Sequence, residues 1–175
     1  MDSKRTSYLI LIVLAIAWCS LLFIPPLVAA LEAPSTQLSW LAYRFFSRIC
    51  HQYPSRSLHV FGHPLAVCAR CSAIYFGFLA GLFVAAFRSS AEPKRITVWL
   101  TFVLLPMLID VILDGIGVHA STMFTRISTG LIFGIGSGII LAPLFADAVD
   151  PIVSKLSFSG THVQLFRKPE HAKAS

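Results

Sequence analysis

The sequence predicts an all-α fold, a polytopic membrane helical bundle with four transmembrane helices plus an interfacial amphipathic helix in the first loop. Two features of composition and one of patterning predict it. Hydrophobic residues make up 56% of the 175 residues and charged residues only 13%, against roughly 25% charged in a soluble domain. The mean hydropathy is +0.76. A soluble domain of this length has too little interior to hide so much apolar surface, so lipid must solvate part of it. The apolar residues are also gathered into four stretches, each near the ~20 residues that cross about 30 Å of hydrocarbon.

The first stretch spans residues 8–30 and is interrupted late by Pro25-Pro26. It follows Lys4-Arg5 and ends at Val28-Ala29-Ala30, as a cleaved leader would. The apolar run before Pro25 is nevertheless longer than the usual h-region of about 7–15 residues, so it is read as a retained span. The second stretch covers 67–87, the third 96–118 and the fourth 127–146. Gly77 and Gly81 in the second, and Gly130 and Gly134 in the fourth, have the small-x-x-x-small spacing that lets membrane helices approach closely. Residues 1–146 therefore form a single integral membrane domain, and residues 147–175 a polar C-terminal tail.

The loop from Leu31 to Ala66 is long for a bundle connection. Within it Leu38, Leu41, Ala42, Phe45, Phe46 and Ile49 recur at helical spacing with Trp40 and Tyr43 among them. Aromatic residues of this kind favour the membrane–water interface, which predicts a helix lying there and delivering Cys50-His51 to the membrane surface. Pro54 and Pro64 then hold the next segment in a non-helical path.

The net charge of +6 lies in short segments between apolar runs, at Lys4-Arg5, at Arg88 with Lys94-Arg95, and at Arg167-Lys168. This is the pattern of topology signals and not of a nucleic-acid surface. It puts both termini in the cytoplasm of a multi-pass protein of the cell membrane, although Arg44, Arg48 and Arg56 in the first loop run against it. Membrane lipids are the expected partners, with a homo-oligomer as a further expectation and no nucleic acid.

Two groups of residues carry chemistry, and this topology brings both to the outer ends of the helices. The first is Cys50-His51, followed by Cys68-Ala69-Arg70-Cys71. A Cys-x-x-Cys pair sets two sulfurs within reach of one metal ion or of each other. At a helix N-terminus the dipole favours thiolate, and Arg70 adds positive charge. Cys50, Cys68 and Cys71 with His51 as fourth ligand would compose a zinc site, with His59 and His63 as further nitrogen donors. The alternatives are a disulfide from Cys50 to a later cysteine in an oxidising compartment, and a redox dithiol.

The second group is Asp110 with Asp114, four apart and so on one helix face, followed by Arg126. Two like charges on one face need a cation or a shared proton between them, and Arg126 or a divalent metal supplies the cation. These three are the candidate catalytic residues. Arg56, Arg70 and Arg126 would make a basic cluster near the headgroups, able to hold a lipid phosphate or another anion.

At Cys50-His51-x-x-Pro54-x-Arg56-Ser57 and Cys68-Ala69-Arg70-Cys71-x-x-x-Tyr75-x-Gly77 the chain resembles the small multi-pass membrane protein family known as domain of unknown function 2085. Asp110, Asp114 and Arg126-x-x-Thr129-Gly130-x-x-x-Gly134 look like the second half of the same pattern, and the resemblance covers roughly Leu38 to Phe145. Ser72-Ala73 stands where members often have Thr-Gly. The resemblance implies a membrane location and marks which residues matter, but no reaction.

The leading functional expectation is a metal-binding Cys/His cluster on the extracytoplasmic face, with zinc as the cofactor. The rivals are enzymes and a transporter. A thiol–disulfide oxidoreductase would use the Cys-x-x-Cys pair, and a magnesium-dependent lipid-phosphate enzyme would use Asp110 and Asp114. A small transporter would use the same carboxylates as relays.

Overall fold

A computed structural model describes residues 3–31, 37–87, 96–118 and 120–165. Arg88, Lys94, Arg95, Arg167 and Lys168 of the charge pattern, and His119, lie outside the described residues. The fold is the helical bundle that the hydropathy predicts. Among the described residues, six α-helices run in chain order as α1 (Ser3–Leu21), α2 (Ile24–Leu31), α3 (Gln37–Phe46), α4 (Ala69–Phe87), α5 (Ile96–Gly115) and α6 (Met123–Leu165). Four segments of the described residues are long and apolar enough to cross a membrane, namely Arg5–Leu31, Ala69–Phe87, Val98–Gly115 and Met123–Val149.

Helix boundaries follow local chemistry that hydropathy does not see. A turn at Leu22 and Phe23 separates α1 from α2, and Pro25 and Pro26 sit in the first turn of α2. There a missing N–H leaves no helical bond unmade. Helix α5 stops at Gly115, and Gly117 follows with φ of +74°, a left-handed value that glycine adopts without strain. Helix α6 starts at Met123, four residues before the apolar run. Thr122 caps it, its hydroxyl accepting the Thr125 N–H at 3.2 Å and its carbonyl the Arg126 N–H at 3.1 Å. The same helix continues through Pro143 and Pro151 to Leu165, well into the segment read as a polar tail.

Glycine holds the middle of the bundle together. A Cβ at Gly77 would sit 2.8 Å from the Leu131 carbonyl oxygen of α6, and one at Gly134 would sit 2.9 Å from the Gly77 Cα of α4. Gly81 faces Gly138 in the same way, and Gly130 faces Ala73. The two helices therefore meet backbone to backbone, with dispersion in place of a hydrophobic drive that lipid cannot provide. Helix α1 packs on both, while α5 packs chiefly on α6, where the Val103 side chain lies over Gly136.

The first loop folds back on the end of the bundle where α4 and α6 begin and α5 ends. Helix α3 presents Leu38, Trp40, Leu41 and Phe45 outward and buries Phe46. Its chain then turns, forms a 3₁₀ turn at Pro54–Arg56, and makes a small hairpin of β1 (His59–Val60) and β2 (His63–Pro64). Phe61 and Gly62, both at positive φ, form the hairpin's two-residue loop.

Candidate metal centre

Cys50, Cys68 and Cys71 reach the site from two directions. Cys68 is the residue before α4, its carbonyl accepting the Ser72 N–H at 2.9 Å, so Cys71 lies in the helix's first turn, where unpaired N–H groups face outward. Cys50 follows α3, after a turn closed by its own N–H on the Phe46 carbonyl at 3.0 Å. One side chain clips the two ends together. Gln52 Nε2 donates to the Tyr43 carbonyl at 2.9 Å and to the Ala66 carbonyl at 2.6 Å. Tyr43 adds a second tie, its hydroxyl donating to the Pro64 carbonyl at 2.6 Å. Sequence reasoning gave Gln52 no role. Its signal was a polar residue held between Cys50-His51 and Pro54, and its φ of +51° shows that the chain turns sharply there.

The three sulfurs lie within 4.8 Å of one another. All three thiols are unbridged, and Cys50 and Cys68 are buried. Around them pack Leu22, Phe46, Ala66 and Val67, with Trp18 and Tyr75. Trp18 meets Phe46 and Tyr75 edge-on at 6.0 and 5.8 Å between ring centres, which closes the apolar side. The Cys50 sulfur accepts the Cys68 N–H at 3.2 Å. Hydrogen bonds from the Cys68 and Cys71 thiols, with backbone N–H groups adding to them, hold the Cys50 thiol well below its ordinary pKa. The pocket thus already favours a thiolate at Cys50.

The fourth ligand expected from the sequence is not brought into this cluster. His51 is exposed, its ring 5.0 Å from that of Tyr53. His59 and His63 lie on the hairpin. Among the described residues, the group of donors close enough to share an ion consists of the three cysteines.

The charged residues form a separate, interlocked set. Arg70 of α4 pairs with Asp110 of α5 and donates to the Ser121 hydroxyl at 3.2 Å. Arg126 of α6 donates to both oxygens of Asp114, at 3.1 and 3.0 Å, and to the Ser121 carbonyl at 3.2 Å. Arg56 of the loop reaches the same Asp114 at 3.3 Å. Ser121 joins the two carboxylates, its hydroxyl on Asp110 at 2.7 Å and its N–H on Asp114 at 3.1 Å. The sequence sets Asp110, Asp114 and Arg126 together, but it places Arg70 and Arg56 with the cysteine segments, and the pairing and the part played by Ser121 need the third dimension. The arrangement ties the loop, α4, α5 and the start of α6 into one clasp. Asp110 and Arg126 are buried, and each has the opposite charge that a buried ion requires.

The chain belongs to a family of predicted membrane proteins, DUF2085, whose model matches residues 50–140. That interval contains the three clustered cysteines and the whole clasp. An uncharacterised protein of Methanocaldococcus jannaschii is 33% identical over 147 residues, covering 81% of this chain and 94% of its own length. An uncharacterised protein of Methanothermobacter thermautotrophicus is 36% identical over 96 residues, covering 54% of this chain and 86% of its own length. No solved structure matches.

Proposed function

We propose that this protein sits in the cell membrane with both termini in the cytoplasm and holds a thiophilic metal ion on its outer face, at Cys50, Cys68 and Cys71. One observation carries the reading: three sulfurs from two distant segments converge within 4.8 Å. Soft thiolate sets of this kind select zinc, monovalent copper and their chemical relatives. Zinc, the ion expected from the sequence, would have three of its four ligands here, leaving the last position to water or to an incoming molecule. The helix N-terminus and the Cys68 N–H both favour the deprotonated sulfur that an ion needs.

The carboxylate-based readings have less support. Magnesium held by Asp110 and Asp114 would have to displace Arg70, Arg126 and Arg56, and a relay would need carboxylates free of such partners. The same pairing occupies the arginines expected to hold an anion.

The test is elemental mass spectrometry on the full chain purified in mild detergent without chelators, with free thiols counted on the same sample. About one transition-metal ion per chain, lost in Cys68→Ser and kept in Cys19→Ser, is the expected result. No metal with two thiols missing would assign the cluster to disulfide chemistry instead, and the oxidoreductase reading would take its place.

A further inference from the structure

Resting on the three cysteines as a metal centre, we infer that its preferred occupant is a trivalent thiophilic metalloid, arsenic or antimony in its +3 state, held as a neutral tris-thiolate. Donor number, polarity and charge lead there together.

The donor number is three. His51 is turned onto Tyr53, and the described donors that converge are the sulfurs of Cys50, Cys68 and Cys71. Tetrahedral zinc needs a fourth ligand. Trivalent arsenic needs none, because a lone pair fills its fourth direction. Polarity points the same way. The surroundings are Leu22, Phe46, Ala66 and Val67, with the rings of Trp18 and Tyr75. A lone pair tolerates the apolar wall on that side and needs no hydrogen-bond partner from it.

Charge discriminates further. Three thiolates around a divalent ion leave one surplus negative charge, and around monovalent copper they leave two. Around a trivalent centre they leave none. A buried surplus charge is costly unless a counter-ion meets it. The cation in the same helical turn, Arg70, is already paired with Asp110 and bonded to Ser121. The neutral complex is therefore the one this pocket can bury at least cost.

The binding step balances without any redox partner. The oxyacid carries three hydroxyl groups on its +3 centre. Each sulfur forms a bond to that centre, each centre–oxygen bond breaks, and each departing hydroxyl takes the thiol's proton, or one from solvent where the sulfur is already a thiolate. Three waters leave, and no oxidation state changes.

The experiment uses the full chain in mild detergent, reduced with a phosphine, and offers inorganic arsenite and zinc together at equal concentration. Arsenic and zinc per chain are read by elemental mass spectrometry, and free thiols are counted on the same sample. The inference expects about one arsenic per chain, zinc largely excluded, and three thiols protected. Cys19→Ser keeps the arsenic. Cys50→Ser, Cys68→Ser and Cys71→Ser each weaken its binding at least ~10-fold, since two sulfurs remain of three. If a cysteine variant fails to fold, the protected-thiol count on the unaltered chain still decides. Zinc retained at one per chain with arsenite unbound would overturn this inference and leave the metal centre standing. All four thiols free with neither element bound would overturn both.

Discussion

Arg70 lies between two of the clustered cysteines and belongs to a different system. Its neighbours Cys68 and Cys71 turn toward the sulfur cluster, while its guanidinium reaches across to Asp110 and Ser121. A helix makes this division unavoidable, because successive residues point about 100° apart. The sequence shows Arg70 beside the cysteines and suggests a local field for them. The fold shows that its charge is neutralised by α5. A double-mutant cycle separates these roles. Arg70→Ala and Asp110→Ala, measured singly and together by thermal unfolding in detergent, should show a coupling of about 0.5–3 kcal/mol, as groups in one hydrogen-bonded network do. Additive effects would mean that the pair does not hold α5 to α4. His51 gives the complementary lesson. Next to Cys50 in sequence it was the natural fourth ligand, but the left-handed turn at Gln52 sends its ring to Tyr53. Adjacency in a loop does not fix direction when the following residue leaves the usual backbone regions.

Among the elements, the spans were legible because bilayer thickness imposes a length and lipid imposes a composition. Their ends were less so. The α6 start depends on Thr122 as a cap, and the α5 end on Gly117, neither of which alters hydropathy. The glycine spacing in α4 and α6 was also legible, but not which glycine meets which. The structure sets Gly77 against Gly134 and Gly81 against Gly138. Gly134→Leu should therefore lower thermal stability by about 1–3 kcal/mol or more, since its Cβ would meet the Gly77 Cα at 2.9 Å and backbone cannot rotate aside. Gly115→Ala, with nothing within 4 Å of the added carbon, serves as the control and should be close to neutral. Equal behaviour of the two variants would contradict the close seam.

Across the whole molecule, both chemical groups sit at the end where α4 and α6 begin and α5 ends. That convergence follows from antiparallel connection alone, and so was visible in the order of the spans. Separation of the two groups was not visible. The sulfurs lie in an apolar cluster with α1 and α3, and the charges lie among α4, α5 and α6. If both termini are cytoplasmic, single cysteines placed at Ser55 in the loop and at Thr6 near the N-terminus, in a background with Cys19, Cys50, Cys68 and Cys71 replaced, should label from opposite sides of sealed vesicles. Labelling from the same side would reverse the assigned orientation or remove a span.

The glycine seam has a mechanical consequence. Where backbone meets backbone there are no side chains between the helices to change rotamer, so α4 and α6 have no second way to fit together. They act as a single beam. Freedom to move falls to α5, whose surface is mostly turned away from the other helices and whose end is fastened by ions rather than by interlocking shape. In amide exchange, α5 should open sooner than the beam beside it.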